Sequence, residues 1–318
     1  MKILITGGTG FVGRTIAKKL IDGNDITLLT KRMSNAGYLQ NIIDKVTVIQ
    51  KDIQDISEDD VRDMDCIYHC ASTVDNYNLV DGKPFLDAEV NVIGTSKLLE
   101  VCRQANPKVN IIYVSTFFVQ GMPIENPVDV DQKPEPLGLY GASKLCAEHY
   151  CKTYNRVFGM NVKIARLTNV FGIGDQYFNN KKSAFSRMIY LAADEKDPIK
   201  LYDNGKVRRD YIYIDDVADA LITIANKGRN NKIYYVGRGE GVKLRELVDM
   251  IIDVGKDAKV DVKVDVIAPP TFHNQVGIND FWCDNSELKK LGWEPKISLK
   301  EGIRKTFEYF RIVIMNQG

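Results

Sequence analysis

The sequence predicts an α/β protein with a doubly wound parallel sheet and a second, smaller α/β lobe. Short β-rich runs alternate with amphipathic helical stretches through the first half of the chain. This alternation is typical of a parallel sheet with helices on both faces. It ends after Arg166, where a polar, aromatic and lysine-rich stretch begins. Because 318 residues also exceed what one hydrophobic core usually organises, we expect two lobes with a cleft between them.

Six apolar runs of strand length form the predicted sheet. They are Lys2–Thr6, Ile26–Leu29, Val46–Gln50, Cys66–Cys70, Asn110–Ser115 and Val162–Arg166. Apolar residues recur with helical spacing between the strands, as at Val12, Ile16 and Leu20. The same spacing later predicts a helix over 214–225 that returns to the first sheet, and helices over 244–252 and 299–310 in the smaller lobe.

The composition excludes several classes of protein. With 43 basic and 42 acidic residues, the chain has no global charge that would attract nucleic acid. No apolar run is long enough to span a bilayer. The six cysteines form no CxxC pair and the three histidines show no metal-ligand spacing. We therefore expect no membrane segment, no metal site and a reducing, cytoplasmic location.

A glycine-rich turn directly follows the first strand. Its sequence, TGGTGFVG over 6–13, satisfies both GxGxxG and GxxGxxG and leads straight into a helix. Glycines allow a tight turn and close backbone approach, and the helix N-terminus offers unpaired N–H groups to a pyrophosphate. This context predicts a dinucleotide site of the Rossmann fold. The residues expected to contact the cofactor there are Gly7, Thr9, Gly10, Phe11, Val12 and Gly13.

The end of the second predicted strand bears on the choice of cofactor. NAD-binding versions of this fold usually place Asp or Glu there to hold the ribose 2′-hydroxyl, whereas this chain has Thr30, Lys31 and Arg32. Two cations without a carboxylate favour the 2′-phosphate of NADP, with which Arg32 could pair bidentately. We therefore expect NADP(H) to be favoured over NAD(H). Asp52, after the third strand, is expected to accept a hydrogen bond from the adenine.

Tyr140 and Lys144 form a YxxxK pair, which places a phenol and an ammonium one helical turn apart on the same face. A free tyrosine has a pKa of about 10, but an adjacent ammonium and an oxidised nicotinamide both favour the phenolate. We therefore expect a lowered pKa and a role as acid and base. The fifth strand ends in Ser115 and Thr116, at the sheet edge where ligands bind, so Thr116 could share the substrate proton.

With these motifs the chain resembles an extended short-chain dehydrogenase/reductase of the NAD(P)-dependent nucleotide-sugar epimerase/dehydratase family, over nearly its whole length. The matching stretches are TGGTGFVG over 6–13, KDI over 51–53, HCAS over 69–72, NVIGT over 91–95, VST over 114–116, YGASK over 140–144, RLTNVFG over 166–172, RDYIYIDDV over 209–217 and LGWEP over 291–295. The resemblance implies a dinucleotide-binding domain of residues 1–168 and about 210–232. Residues of about 169–209 and 233–318 would form the substrate-binding domain.

The resemblance also implies roles for individual residues. Thr116, Tyr140 and Lys144 would form the catalytic set, with Lys144 also holding the nicotinamide ribose. Asn169 would contact the substrate and Arg209 its diphosphate, since a guanidinium matches phosphate oxygens. His69, a lone histidine at a strand end, is interpreted as structural. Further cofactor contacts are implied for Ile53, Cys70, Ala71, Ser72, Asn91 and Ser115.

Two departures from the family pattern bear on the substrate. Family dehydratases carry Asp-Glu after the strand-end threonine, but Phe117 and Phe118 stand here and cannot transfer a proton, so a 4,6-dehydratase is not expected. Many epimerases have a second diphosphate-binding arginine shortly before the segment 281–284, where this chain has TFHNQ over 271–275. His273 or Asn274 could replace that arginine with hydrogen bonds to the substrate.

Three functions fit the sequence. The first is a nucleotide-sugar 4-epimerase that passes hydride to NAD(P) and back through a 4-keto sugar, which the full-length resemblance favours. The second is an NADPH-dependent nucleotide 4-keto-sugar reductase, which the cations after the second strand favour. The third is a non-catalytic NADP-binding sensor, against which the retained Thr116, Tyr140 and Lys144 argue. A homodimer is implied as well, because family members often pair through the helices that carry NVIGT and YxxxK.

Overall fold

A computed structural model describes residues 1–33, 39, 41–73, 85–175, 184–269, 278 and 280–316. The strands are β1 (Lys2–Thr6), β2 (Asp25–Thr30), β3 (Thr47–Gln50), β4 (Cys66–His69), β5 (Asn110–Thr116), β6 (Val162–Leu167), β7 (Asn169–Phe171), β8 (Ile199–Tyr202), β9 (Arg208–Arg209), β10 (Tyr211–Tyr213), β11 (Ile233–Val236), β12 (Val242–Lys243) and β13 (Val264–Ile267). The helices are α1 (Phe11–Leu20), α2 (Glu58–Val61), α3 (Gly94–Ala105), α4 (Leu139–Phe158), α5 (Ala184–Asp194), α6 (Ile214–Lys227), α7 (Leu244–Asp257), α8 (Ser286–Lys289) and α9 (Leu299–Met315). A π-helical turn, Ala88–Ile93, leads into α3.

Seven strands form one parallel central sheet, in the order β11-β6-β5-β4-β1-β2-β3. All six predicted strands are present in it, which confirms the doubly wound α/β class. The strand order reverses between β1 and β4, so the loops that leave these two strands open a crevice at the carboxyl edge. Ile233–Val236 is a correction to the expected boundary: we placed residues 233–318 in the smaller lobe, but β11 pairs with β6 and extends the central sheet.

Helices cover both faces of the central sheet. Ile3 and Ile5 of β1 enter a core that also contains buried residues of α1 and α6, while Leu4 enters a second core with residues of α3 and α4. This division follows from the strand geometry, since successive side chains point to opposite faces. Because both faces are buried, the strands are continuous apolar runs, and this is the signal that made them predictable.

The smaller lobe contains three two-stranded sheets, β7 with β10, β8 with β13 and β9 with β12. Its helix α9 packs on α5 and α7, and Ile303, Phe307 and Phe310 of α9 belong to the same core as α6. The helices predicted over 214–225, 244–252 and 299–310 are all present, as α6, α7 and α9. Within the described ranges, no helix is long and apolar enough to cross a membrane.

The LGWEP segment attaches the smaller lobe to the start of α6. Trp293 Nε1 donates to Asp216 O at 3.2 Å. The Asp216 carboxylate accepts from the amides of Lys296 and Ile297 at 2.9 and 3.0 Å. This segment therefore has a structural use, namely to tie the chain that precedes α9 to the start of α6.

Candidate active site

The glycine turn after β1 has a geometry that only glycine permits. Gly7 lies at a φ of +65°, a conformation that residues with a side chain rarely adopt, and the Gly10 amide donates to Gly7 O at 2.8 Å. A Cβ on Gly13 would lie 2.6 Å from Gly7 O, and one on Gly7 would lie 2.8 Å from Ala71 N. The turn therefore packs closely against its own helix and against the loop that leaves β4.

Helix α1 begins at Phe11 with an uncapped N-terminus. No side chain caps it, and the amides of Phe11, Val12 and Gly13 have no acceptor in the described part of the chain. Such first-turn amides, together with the positive end of the helix dipole, attract anions. These residues fit the pyrophosphate of a dinucleotide.

The end of β2 carries hydroxyls and cations. Thr9 Oγ1 and Thr30 Oγ1 are 2.7 Å apart, so one hydroxyl donates to the other, and the two oxygens lie 3.2 and 3.1 Å from Arg32 O, which accepts from the remaining hydroxyl. Lys31 Nζ lies 2.5 Å from Asp52 Oδ2. We expected Lys31 to face a 2′-phosphate and Asp52 to face the adenine, but the two side chains pair with each other. The reason is that they follow the neighbouring strands β2 and β3, so opposite charges meet at one edge of the sheet.

Asp52 also organises the chain after β3. Its Oδ1 accepts from the Gln54 amide at 3.4 Å. Burial alone would raise the pKa of Asp52, but the hydrogen bonds from Lys31 and Gln54 outweigh it and lower the pKa below its ordinary value. Ile53 is buried, and a Cβ on Gly94 would lie 2.5 Å from its Cγ2. The Ile53 side chain therefore packs against α3, which leaves its backbone as the part that could face a cofactor.

His69, at the end of β4, is a buried link between two threonines. Its Nδ1 lies 2.6 Å from Thr6 Oγ1 and its Nε2 lies 2.9 Å from Thr95 Oγ1. Thr95 donates to Asn91 O at 2.6 Å, and Thr6 accepts from the Ala71 amide at 3.2 Å. The neutral ring with its proton on Nε2 satisfies every partner in this chain. Burial, helped by the nearby charge of Lys144, lowers the pKa of His69 to about 3, so the geometry is that of a structural histidine.

The loop Cys70–Thr73 leaves β4 beside the glycine turn and is held by Asn91. Ser72 Oγ and the Thr73 amide donate to Asn91 Oδ1 at 2.9 and 3.2 Å. Asn91 Nδ2 donates to Thr73 Oγ1 and to Ser143 Oγ, both at 2.9 Å. The amide group of Asn91 is thus buried and fully hydrogen-bonded, so it positions the loop to which the resemblance assigns cofactor contacts.

Tyr140 lies in the first turn of α4, where three elements meet. Ser72, from the loop after β4, and Thr116, the last residue of β5, both act on the Tyr140 hydroxyl and favour a lower pKa. Thr116 Oγ1 accepts from the Phe118 amide at 3.3 Å, so its hydroxyl proton is available to Tyr140 or to a substrate. The fold therefore brings the predicted pair Tyr140 and Thr116 together at the carboxyl edge of the sheet.

Lys144 is buried one turn further along α4. Its Nζ donates to Val114 O at 2.6 Å and lies 4.2 Å from the centre of the Tyr113 ring. Burial lowers its pKa to about 8, against the opposing effects of Cys151 and Glu148. Lys144 is therefore a buried cation held between β5 and α4, one helical turn from Tyr140.

The pKa of Tyr140 departs from our expectation. Burial raises it to about 12, while the hydrogen bonds with Ser72 and Thr116 oppose the rise. We expected Lys144 to lower this pKa, and that expectation is wrong for the protein chain on its own. The Lys144 ammonium donates to Val114 O, and no hydrogen bond joins it to Tyr140 among the described residues.

A buried polar network links α4 to β5 and β6. Ser115 Oγ donates to Glu148 Oε1 at 2.6 Å, and Arg166 Nε and Nη2 donate to the Glu148 carboxylate at 3.0 and 2.8 Å. Gln120 Oε1 accepts from Arg166 Nη1 at 3.2 Å and from the Tyr235 hydroxyl at 2.9 Å. The Ser115 side chain thus turns to this network. Glu148 was missed from the sequence, although it lies four residues beyond Lys144 on the same helix face, and that spacing was a usable signal.

Aromatic rings occupy the positions after Thr116. Phe117 is buried and packs on Phe281, with 4.7 Å between ring centroids. The Phe118 ring stands edge-on to Tyr140, with 6.2 Å between centroids. Apolar rings therefore stand at the two positions where family dehydratases carry an acid and a base.

Asn169 lies on β7 and Arg209 on β9, in two different two-stranded sheets. Asn169 Nδ2 donates to Asp210 O at 2.9 Å, while Arg209 Nη1 donates to Arg208 O at 3.0 Å and its Nη2 donates to Ile278 O. The carboxylate of Asp210 accepts from the amides of Arg238, Gly239 and Cys283 and from the Cys283 thiol. The Asp210 carboxylate is therefore held by these four donors.

Two further predictions concern histidines and metals. His273 and Asn274, expected to replace a diphosphate-binding arginine, lie outside the described residues. Among the residues that the structure describes, no group of three or more His, Cys, Asp or Glu side chains could hold a metal ion.

Comparisons with known proteins give a consistent result. A family model described as "NAD dependent epimerase/dehydratase family" matches residues 3–237. A protein of Methanocaldococcus jannaschii named putative UDP-glucose 4-epimerase is 30% identical over 97% of this chain and 98% of its own length. A UDP-glucose 4-epimerase of Thermotoga maritima, solved with UDP-glucose, is 26% identical with a TM-score of 0.87, covering 99% of this chain and all of its own. The UDP-glucose 4-epimerase of Thermus thermophilus, solved with NAD, is 27% identical with a TM-score of 0.84, covering 98% of this chain and 99% of its own.

Proposed function

Because the chain belongs to the NAD-dependent epimerase/dehydratase family and is an enzyme of the extended short-chain dehydrogenase/reductase type, we propose that it interconverts the C4 epimers of a nucleotide-linked sugar. The observation that carries the proposal is that Thr116, the last residue of β5, acts on the Tyr140 hydroxyl at the same sheet edge as the glycine turn. Phe117 and Phe118 offer no acid or base for elimination of water, which leaves hydride transfer at one carbon.

In the proposed reaction the Tyr140 oxygen takes the proton of the C4 hydroxyl while C4 loses its hydride. Bound NAD(P)⁺ supplies the hydride acceptor, and its positive charge favours the phenolate form of Tyr140. The Thr116 hydroxyl shares its proton between the Tyr140 oxygen and the C4 oxygen. This hydrogen bond orients the two oxygens for proton transfer. After the 4-keto sugar has turned, hydride returns to its other face and Tyr140 gives the proton back.

Lys144 is proposed to hold the nicotinamide ribose. One of its three ammonium protons is bound by Val114 O, so two remain for ribose hydroxyls. With a pKa of about 8, the side chain is mainly protonated at neutral pH and keeps this donor capacity.

Arg209 and Asn169 are proposed to hold the diphosphate and neighbouring groups of the substrate. Arg209 supports this role because it begins the RDYIYIDDV stretch through which the chain resembles the family. Guanidinium groups match phosphate oxygens in geometry and charge. His273 remains a prediction for the same region. The names of the relatives make UDP-hexoses the first substrates to test.

NADP(H) is proposed as the preferred cofactor on one observation, the absence of a carboxylate at the end of β2. Thr30 fills that position and is bound to Thr9, while Lys31 is engaged by Asp52. Arg32, which is exposed, is then the cation that would meet a 2′-phosphate. The relative from Thermus thermophilus was solved with NAD, so NAD(H) is the competing cofactor in any test.

The absence of a carboxylate at the end of β2 also favours a second function, an NADPH-dependent 4-keto-sugar reductase. In this reaction Tyr140 donates the proton and the cofactor is consumed. The test incubates purified protein with UDP-, dTDP-, CDP- and GDP-sugars and with their 4-keto derivatives, and follows sugar identity and NADPH absorbance together. Appearance of the C4 epimer without net absorbance change is the expected result. Stoichiometric loss of NADPH with a 4-keto substrate would replace the epimerase by the reductase.

A further inference from the structure

Glu148 lies on the same face of α4 as Tyr140 and Lys144, because these residues follow one another at intervals of one helical turn. Its carboxylate accepts from the hydroxyl of Ser115, with 2.6 Å between Ser115 Oγ and Glu148 Oε1. Ser115 directly precedes Thr116 at the end of β5. The helix face that carries Tyr140 therefore also binds the strand end that carries Thr116.

Arg166 fixes the orientation of this carboxylate. Its Nε donates to Glu148 Oε1 at 3.0 Å and its Nη2 donates to Glu148 Oε2 at 2.8 Å, so the pair is bidentate. Bidentate pairs of arginine and carboxylate have a defined geometry in addition to their energy. Because both side chains are buried, bulk water does not compete for these bonds. Glu148 therefore holds Ser115 from a position that β6 sets.

The same ion pair binds the chain on the other side of Thr116. Arg166 Nη1 donates to Gln120 Oε1 at 3.2 Å, and the Tyr235 hydroxyl donates to the same oxygen at 2.9 Å. Gln120 follows Thr116 at the end of the next turn and is completely buried. The segment that contains Thr116 is thus held at Ser115 and at Gln120 by one buried pair of charges.

A second contact from α4 holds β5 at the residue before Ser115. Lys144 Nζ donates to Val114 O at 2.6 Å. Two successive residues of the strand are therefore bound by two successive turns of the helix that carries Tyr140. This arrangement limits how far Thr116 can move relative to Tyr140. The limit matters because a displacement of about 1 Å can slow an enzymatic step about a hundredfold.

We propose that Glu148 is a positioning residue, which acts through the hydroxyl of Ser115. The contact between them keeps Thr116 within reach of Tyr140. The inference rests on the proposed acid/base role of Tyr140. In that reaction the Thr116 hydroxyl has to meet the Tyr140 oxygen and the substrate oxygen together, so its position affects the transition state more than the binding of substrate. We therefore expect the contact between Ser115 and Glu148 to contribute to kcat rather than to KM.

The test uses Ser115→Ala, which removes the hydroxyl and leaves the ion pair between Glu148 and Arg166 in place. Ser186→Ala is the matched control. Ser186 is likewise a buried serine, and its hydroxyl donates to Asp175 Oδ2 at 2.6 Å. For each protein the experiment measures kcat and KM with the sugar that turns over, NADPH affinity by fluorescence titration, and the midpoint of urea unfolding.

Ser115→Ala is expected to lower kcat by about 10- to 100-fold, because Thr116 is then free to move away from the Tyr140 oxygen. KM and NADPH affinity should change little. Ser186→Ala should keep the parent kcat, although each variant loses one hydrogen bond to a carboxylate and both should unfold at lower urea concentration. A parent kcat in Ser115→Ala, or an equal fall in Ser186→Ala, would overturn the inference. Weaker NADPH binding with kcat unchanged would make Ser115 a cofactor contact instead.

A double-mutant cycle separates positioning from a general structural role. If Ser115 acts through Tyr140, Ser115→Ala should lower kcat much less in Tyr140→Phe, which has no hydroxyl left to be positioned. The same fold-loss in both backgrounds would contradict the inference. Full turnover by Tyr140→Phe would remove the proposed function. A parent rate in Ser115→Ala beside a slow Tyr140→Phe would remove only the positioning role of Glu148.

Discussion

Glu148 and Arg166 form an ion pair inside the molecule, with 2.8 Å between Arg166 Nη2 and Glu148 Oε2 and side chains only 1% and 2% exposed. Removal of one partner leaves an unpaired buried charge, which costs roughly 3–5 kcal/mol. Glu148→Met alone or Arg166→Met alone is therefore expected to lower the free energy of unfolding by about that amount. Urea unfolding followed by circular dichroism measures it.

The double variant Glu148→Met/Arg166→Met is the informative control for this pair. Because two apolar side chains of similar volume avoid the desolvation of both charges, we expect it to be more stable than either single variant. A double variant as unstable as the sum of the single ones would mean that the two side chains contribute independently, which would contradict the orphaned charge as the cause of the loss.

Tyr140→Phe removes the hydroxyl on which Thr116 acts and leaves the ring in place beside Phe118. We expect kcat to fall by a factor on the order of 10² to 10⁴, as for loss of a general acid/base, while cofactor affinity changes little. Steady-state kinetics and a fluorescence titration with NADPH measure the two effects. Tyr150→Phe, an exposed tyrosine on the same helix, should retain the parent rate.

Because Lys31 is paired with Asp52, we expect Lys31 and Arg32 to contribute unequally to NADPH binding. Arg32→Ala is expected to weaken NADPH binding about tenfold and to leave NADH binding unchanged, since only NADPH carries the 2′-phosphate. Asp52→Asn releases Lys31 and should tighten NADPH binding. Arg62→Ala, at an exposed arginine after α2, serves as control. Equal affinity of the parent for NADH and NADPH would contradict the preference for NADP(H).

Because the buried His69 ring has a lowered pKa, we expect the protein to lose stability in acid. The pKa of His69 is about 3 in the folded chain against 6.5 for a free histidine, so the unfolded chain binds the proton first. The neutral His69 ring makes its full contribution to the free energy of unfolding above about pH 6.5. This contribution is lost as the pH falls towards 3, at up to about 1.4 kcal/mol per pH unit. His69→Gln, whose amide could bridge Thr6 and Thr95, should flatten this dependence in urea unfolding measured at each pH. His149→Gln, at an exposed histidine, should keep the parent slope.

The parts of the fold that sequence inspection predicted correctly have local signals. Lys2–Thr6 and the other five strands are apolar runs, and the glycines at 7, 10 and 13 stand directly between a strand and a helix. Ile233–Val236 was misplaced because IYYV has no feature that distinguishes a central-sheet strand from a lobe strand. Its membership depends on β6, which lies more than sixty residues earlier. Long-range pairing of this kind leaves no trace in a short window of sequence.

The sequence by itself therefore determined the doubly wound sheet, the dinucleotide turn and the identity of Tyr140, Thr116 and Lys144 as candidates, because each has a local pattern of residue types. Tertiary structure decided how these groups interact. Lys31 pairs with Asp52, Lys144 binds Val114 O, and burial raises the pKa of Tyr140 when an ammonium neighbour had predicted the opposite. The physical reason is that the charge and proton affinity of a side chain depend on solvent exclusion and on partners from distant strands, which residue spacing along one helix does not contain.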